Sequence, residues 1–203
     1  MSLVASLLLC ASPADAEVRV ELPTLSAVDR QRLEAGEVLA RHGRADRGGA
    51  GLGWAAGLVH ATPEQVFKVI ADVGRYTEFM PRVVESRVLG TKGSRYRFYY
   101  RIDMPWPLSD YDCVTQNWHE EDRRRRIYSR KWMLLTGTFT YNEGSWTVFP
   151  WAGARALLVY SSKVLPKTAV PTRVVNYAVK IALPRAVEAV RHRVGAVLRM
   201  GKP

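Results

Sequence analysis

The chain has 203 residues, 47% hydrophobic and 24% charged, an ordinary balance for one soluble domain with a sizeable core. Its formal charge of +11 attracts anionic partners without specifying them. No zinc-finger spacing, helix-turn-helix signal or RNA-binding aromatic motif accompanies that charge, so no nucleic-acid partner is expected.

The N-terminus reads MSLVASLLLCASPADAEV. Leu3 to Leu9 form an apolar run too short to span a bilayer. Ala14-Asp15-Ala16 has the small-x-small form cut by signal peptidase. Residues 1–16 are therefore expected to be a signal peptide, though no Lys or Arg precedes its apolar run. Export to a bacterial periplasm or the extracellular space follows as the expected localisation. Cleavage would remove Cys10 and leave Cys113 as a small buried apolar residue with no metal-ligand spacing around it.

Residues 17–35 form an expected helical extension. Within it Ser26 to Ala35 reads as a short helix, with Ser26 as cap and Ala27, Val28 and Leu33 facing inward. GEVLARHG and LGWAAGLVHA read as strands. Gly48 to Gly53 lacks the strand-then-helix context of a phosphate loop and reads as a hairpin connection. Thr62-Pro63-Glu64-Gln65 is a helix start with a capping box, and Phe67, Ile70, Ala71 and Val66 supply the apolar side. Gly74 is expected to end this helix, and RYTEFM to add one more helical turn.

After Pro81 the hydrophobic period changes to two. Candidate strands are 83–89, 95–103, 110–119, 125–134, 137–142, 145–149 and 155–165. Their links are Lys92-Gly93, Glu120 to Arg124, and Asn142-Glu143-Gly144. Sequential strands with short links make an antiparallel meander. Tyr96, Phe98, Tyr100 and Ile102 share one face, and Arg95, Arg97, Tyr99 and Arg101 share the other, as in a sheet with one wet face. From Pro171 to about Arg199 the period is helical. Val174, Ala178, Ile181, Val187, Val190, Val194, Val197 and Leu198 fall on one side. Pro184 is expected to kink or split that helix.

The blocks carry a resemblance. ATPEQVFKVIADVGRYTEFMPRVVESRVLG, PWPLSDYD, GSWTVFP and ALLVYSSKVLPKTAVPTRVVNYAV, in this order, resemble landmarks of the SRPBCC superfamily. The similarity is to its START-like and polyketide cyclase/dehydrase members, which include the coenzyme Q-binding proteins. The resemblance covers about residues 36–199. It implies an α+β helix-grip fold of the START/Bet v 1-like type, a curved antiparallel sheet wrapped around a long C-terminal helix with an internal hydrophobic cavity, spanning residues 36–203. It implies no particular ligand. One departure stands out: Tyr111 occupies the position after PWPLSD where the resemblance leads one to expect Arg.

Strand parity and helix phase give the expected cavity lining: Tyr96, Phe98, Tyr100, Trp106, Met133, Trp146 and Tyr160, with Val174, Ala178 and Ile181 opposite. Pro105 and Pro107 stiffen the strand-to-strand passage. Trp106 there either walls the rim of the pocket or plugs the end of the core. Catalytic signals are thin. His42, His60, His119 and His192 have no metal spacing, and His119 is expected in a solvated hairpin. No nucleophile elbow, zinc motif or dinucleotide loop occurs, and no metal or cofactor is expected.

Two functional classes follow. The first is a non-catalytic, monomeric binder or carrier of a hydrophobic small molecule such as a lipid, quinone or isoprenoid. The second is an aromatase/cyclase-like enzyme using Tyr96, Tyr100, Tyr111 or Tyr160, with Asp103 or Asp110. The missing acid–base pair and the export signal favour the first. An interaction module with a collapsed cavity is a third reading. Arg123, Arg124, Arg125 and Arg126 follow Glu120-Glu121-Asp122. That hairpin is either a solvated turn whose charges partly cancel or a tip that docks transiently on an anionic membrane surface.

Overall fold

The computed structural model describes residues 24–42, 51–104, 109–167 and 172–201, with side chains of the last segment from Lys180 onward. Pro105 to Leu108, and with them Trp106, lie outside the described residues, as do the N-terminal segment and the side chains of Val174 and Ala178.

The chain order is α1 (Ala27–Glu34), β1 (Leu39–His42), β2 (Gly51–Val59), α2 (Pro63–Ala71), a 3₁₀ helix (Val73–Glu78), β3 (Val83–Lys92), β4 (Arg95–Ile102), β5 (Tyr111–Asp122), β6 (Ile127–Gly137), β7 (Phe139–Trp151), β8 (Arg155–Pro166) and α3 (Thr172–Met200). Among the described residues the strands make one eight-stranded sheet in the order β1-β2-β8-β7-β6-β5-β4-β3. All of its pairings are antiparallel. The meander from β3 to β8 runs in sequence order across the sheet. The N-terminal β1–β2 hairpin then adds to the far side of β8, which a sequence pattern of local links does not specify.

The sheet has two differently covered faces. On one, α2, the 3₁₀ helix and α3 cover the core formed by Ala55, Val59, Val66, Ile70, Val73, Trp146, Val148 and Leu158. Helix α3 contributes Leu183, Ala186, Val187, Val190 and Val194 at three- and four-residue spacing, all buried. Each such valine contributes about 2 kcal/mol by burial. The helix seats closely because Gly57 has no side chain: a Cβ there would stand 2.6 Å from Arg191 Nη2 and 3.0 Å from Val187 Cγ1. On the opposite face α1 covers a smaller cluster of Leu33, Leu39, Ala56, Leu58, Leu157 and Val159. Ser26 caps α1 through its hydroxyl and the Asp29 carboxylate. Leu33 is fully buried there, whereas Val28, expected inside, is 62% exposed.

Helix α2 starts as its residues indicate. The Thr62 hydroxyl accepts from the Gln65 N–H, and Gln65 Oε1 accepts from the Thr62 N–H. Three expectations are corrected. Gly74 lies inside the 3₁₀ helix rather than ending a helix. Helix α3 runs from Thr172 to Met200 as one element through Pro184. The expected turn at Asn142-Glu143-Gly144 lies inside the single long strand β7. Gly144 serves packing instead: a Cβ there would meet the Ser161 carbonyl oxygen and the Trp132 indole at 2.5 Å. The glycine lets the indole lie flat across the strand.

Candidate ligand-binding site

The register of the sheet decides which side chains share the space beneath the helices. One row of cross-strand partners runs Ala55, Tyr160, Trp146, Arg130, His119. The next runs Gly53, Ser162, Gly144, Trp132, Asn117, Tyr96. Partners in such rows stand side by side, with Cβ atoms about 5 Å apart. Phe98 and Tyr100 continue the face on β4, opposite Thr115 and Cys113.

Tyr96, Phe98, Tyr100, Trp146 and Tyr160 from the expected lining are on this inner face. Trp146 and Tyr160 stack at 4.0 Å, and Phe98 stacks on Tyr100 at 5.2 Å. Ile181 is partly buried on α3. Met133 is a correction: it is 46% exposed, and Trp132 takes the buried position. The reason is Arg130. Placing a charge on the wet face puts Met133 inside. In the structure Tyr128, Arg130 and Trp132 all point inward, and Arg130 is only 4% exposed. The aromatic residues at its i−2 and i+2 positions are the sequence signal that would have located it.

Arg130 is held from three sides. Its Nη1 donates to Asn117 Oδ1 at 2.9 Å. Its guanidinium carbon lies 5.2 Å from the ring centres of both Tyr76 and Trp132, within cation–π range. Burial opposes its charge, the surrounding Tyr76, Tyr96 and Tyr160 favour it, and its pKa ends above the ordinary arginine value. Asn117 is itself fixed by donating to Thr115 Oγ1 at 2.8 Å. No carboxylate among the described residues forms an ion pair with Arg130.

A second polar group centres on Asn142. Trp132 Nε1 donates to its Oδ1 at 2.9 Å, and its Nδ2 donates to the Tyr100 hydroxyl at 2.8 Å and to Cys113 Sγ at 3.6 Å. Burial pushes the Cys113 thiol up to about 12, so it is protonated at neutral pH. Burial likewise raises Tyr76, Tyr100 and Tyr160.

His119 is partly buried rather than solvated. Its Nε2 lies 3.2 Å from the Tyr96 hydroxyl, and its ring packs edge-on against Phe67. Burial, then Arg130, lowers its pKa. The two acids considered for catalysis are elsewhere. Asp110 accepts from Arg101 Nη1 at 2.7 Å and from the Met104 N–H, and Asp103 pairs with Arg82. Both sit in ion-paired surface positions, not on the aromatic inner face. Tyr111 packs edge-on to Phe139.

At the β5–β6 hairpin, Arg123 pairs with Glu121, Arg125 with Asp122, and Arg126 with Glu64. Arg124 is exposed. Arg126 has φ of 57° and grips Glu64 with two hydrogen bonds of 2.9 and 2.8 Å, tying the hairpin to the start of α2.

A curved antiparallel sheet with helices over one aromatic face, and the chain's last long helix among them, defines the helix-grip class of START and Bet v 1-like proteins. Residues 59–191 match the family described as polyketide cyclase/dehydrase and lipid transport, and the chain belongs to that family. No curated protein matches its sequence. Solved structures resemble it in fold. A STAR-related lipid transfer protein fragment from Xanthomonas axonopodis is 18% identical, with a TM-score of 0.69 over 78% of this chain and 93% of that one. Human STARD10 is 14% identical, with a TM-score of 0.65 over 90% and 84%. The ZhuI aromatase/cyclase from Streptomyces sp. R1128 is 16% identical, with a TM-score of 0.60 over 81% and 100%. The family and the fold fit a hydrophobic ligand-binding role.

Proposed function

We propose that the protein binds a hydrophobic small molecule, a lipid, quinone or isoprenoid-like compound, between the sheet and α3, and carries it without chemical change. One observation carries this reading. Tyr100 and Tyr160 lie deep enough for burial to raise their pKa values, and yet both keep accessible surface. An aromatic face beneath helices, with surface left on it and a few fixed polar groups, suits a ligand pocket. In the proposed setting the protein works after export and delivers its ligand at a membrane. The β5–β6 hairpin with Arg123, Arg124 and Arg125 is the proposed contact with anionic lipid.

The test is native mass spectrometry of the purified protein, with organic extraction and identification of what is released. A stoichiometric hydrophobic compound supports the reading. A protein with no extractable compound, and no binding to a panel of lipids and quinones, overturns it.

A second reading draws on the Tyr96–His119 contact beside Arg130. A neutral imidazole next to a phenol and a fixed positive charge is a workable set for enolising and cyclising a polyketone. Turnover of a model polyketone by the wild type and its loss in His119→Gln would favour the enzyme. Recovery of the bound compound unchanged favours the carrier.

A further inference from the structure

Among the described residues, no carboxylate pairs with the buried charge of Arg130. The titratable groups that face it among the described residues are Tyr76, Tyr96, Tyr160 and His119, none of them a carboxylate. Tyr76 and Tyr160 are raised by burial, and His119 is lowered. The acids closest in sequence and register are engaged elsewhere: Glu121 with Arg123, Glu120 with Lys131, and Glu64 with Arg126. The Nε of Arg130 is buried with no hydrogen-bond partner. An unpaired buried ion is expensive, and proteins keep one where something arrives to pair with it.

The surroundings orient the group as well as bury it. The faces of Tyr76 and Trp132 flank the guanidinium, and Asn117, fully buried, occupies Nη1. Nη1 is thus committed, the Tyr96 side chain is a further hydrogen-bond partner of the group, and Nε is left with its proton to donate. A planar guanidinium held in this way keeps a fork of N–H donors, the unpartnered Nε–H among them, for an anion. Beside it, Tyr96, Tyr100, Leu134 and Tyr160 keep accessible surface on the inner face, enough to lay an apolar body against.

We propose that Arg130 anchors the anionic head group of an amphiphilic ligand whose apolar body lies along Tyr100 and Tyr160. This rests on the hydrophobic-ligand reading and narrows it. A carboxylate or a phosphate compensates the charge, whereas an alcohol or a ketone of the same chain leaves it bare.

The experiment compares three probes of equal chain length, palmitate, hexadecyl phosphate and hexadecanol, by titration calorimetry on the delipidated full chain, with Arg130→Gln and Arg130→Lys alongside. A charge-assisted pair adds about tenfold or more in affinity. The wild type should therefore bind at least one anionic probe about tenfold tighter than hexadecanol. Arg130→Gln should abolish that preference while leaving hexadecanol affinity in place, and Arg130→Lys should keep part of it. The ratio between palmitate and hexadecyl phosphate tells which anion the fork accepts. Equal wild-type affinities for all three probes overturn the role of Arg130 and leave the hydrophobic-ligand reading standing. Failure of all three to bind overturns the role of Arg130 too, and the extraction experiment then decides the hydrophobic-ligand reading. The wild-type comparison decides the matter even if Arg130→Gln does not fold.

Discussion

The Tyr96 hydroxyl meets His119 Nε2 at 3.2 Å, joining β4 to β5 and linking the two rows of side chains on the inner face. The contact is made by a neutral imidazole. Burial against Phe67, and then the charge of Arg130, lowers the His119 pKa from the ordinary value of 6.5. The unfolded chain therefore binds this proton more readily than the folded one. The contribution of His119 to stability is complete above pH 6.5 and is lost as pH falls from 6.5 towards the lower folded value. Thermal melts should show the wild type losing stability through that window. His119→Gln should lose less there, because it has no group to protonate. Parallel pH profiles for the two proteins would refute a neutral buried His119.

Asn142 satisfies three buried partners at once: Trp132 Nε1, the Tyr100 hydroxyl and Cys113 Sγ. Asn142→Ala leaves the indole N–H unpaired in the interior and takes one partner from the Tyr100 hydroxyl, which keeps Cys113; the loss costs about 1–3 kcal/mol. Trp132 should also show altered fluorescence, since its ring loses the bond that fixes it. Denaturant unfolding measures the first effect, and the emission spectrum of the folded state the second. An unchanged midpoint would mean that water replaces the amide.

The four arginines of the β5–β6 hairpin separate into two kinds. Arg126 holds Glu64 and so links the hairpin to α2. That bond keeps the Glu64 carboxyl well below the usual carboxylate range. The pair is half exposed and screened by solvent, so Arg126→Ser should cost little stability. It should also make Glu64 less resistant to acid. Replacing Arg123, Arg124 and Arg125 together by Ser should leave stability within about 0.5 kcal/mol. If the hairpin docks on lipid, that triple variant sediments less with anionic vesicles at low salt. Equal sedimentation would leave the hairpin as plain surface. Replacing all four at once would confuse the two effects.

Gly144 is the position on β7 where the Trp132 indole and the Ser161 carbonyl oxygen come too close for any side chain. Gly144→Ala should force the indole aside and strain the β7–β8 pairing, at about 1–3 kcal/mol. Because Trp132 flanks Arg130, the same change should weaken binding of an anionic probe. The control is Gly153→Ala in the β7–β8 turn. Its φ of 73° carries backbone strain, but only the Arg155 side chain lies within reach of a new Cβ, so it should spare binding.

The sequence by itself determined the elements and the class of fold. A capping box at Thr62, period-two runs through β3 to β6 and a valine stripe on α3 are local patterns, and local backbone and burial rules read them directly. It determined the direction of Tyr96, Phe98, Tyr100, Trp146 and Tyr160 for the same reason: alternation settles a strand whose charges all fall on one side. Only the tertiary structure decided the interior chemistry. Arg130 reads as a solvent residue until Asn117 from β5, Tyr76 from the 3₁₀ helix and Trp132 from its own strand are seen around it. Once that charge is inside, Met133 must be outside. Gly144 reads as a turn until the ring of Trp132 is placed across it. In each case the deciding partner belongs to another element or lies across the register of the sheet, and a charge is stable in the interior only where such distant partners converge on it.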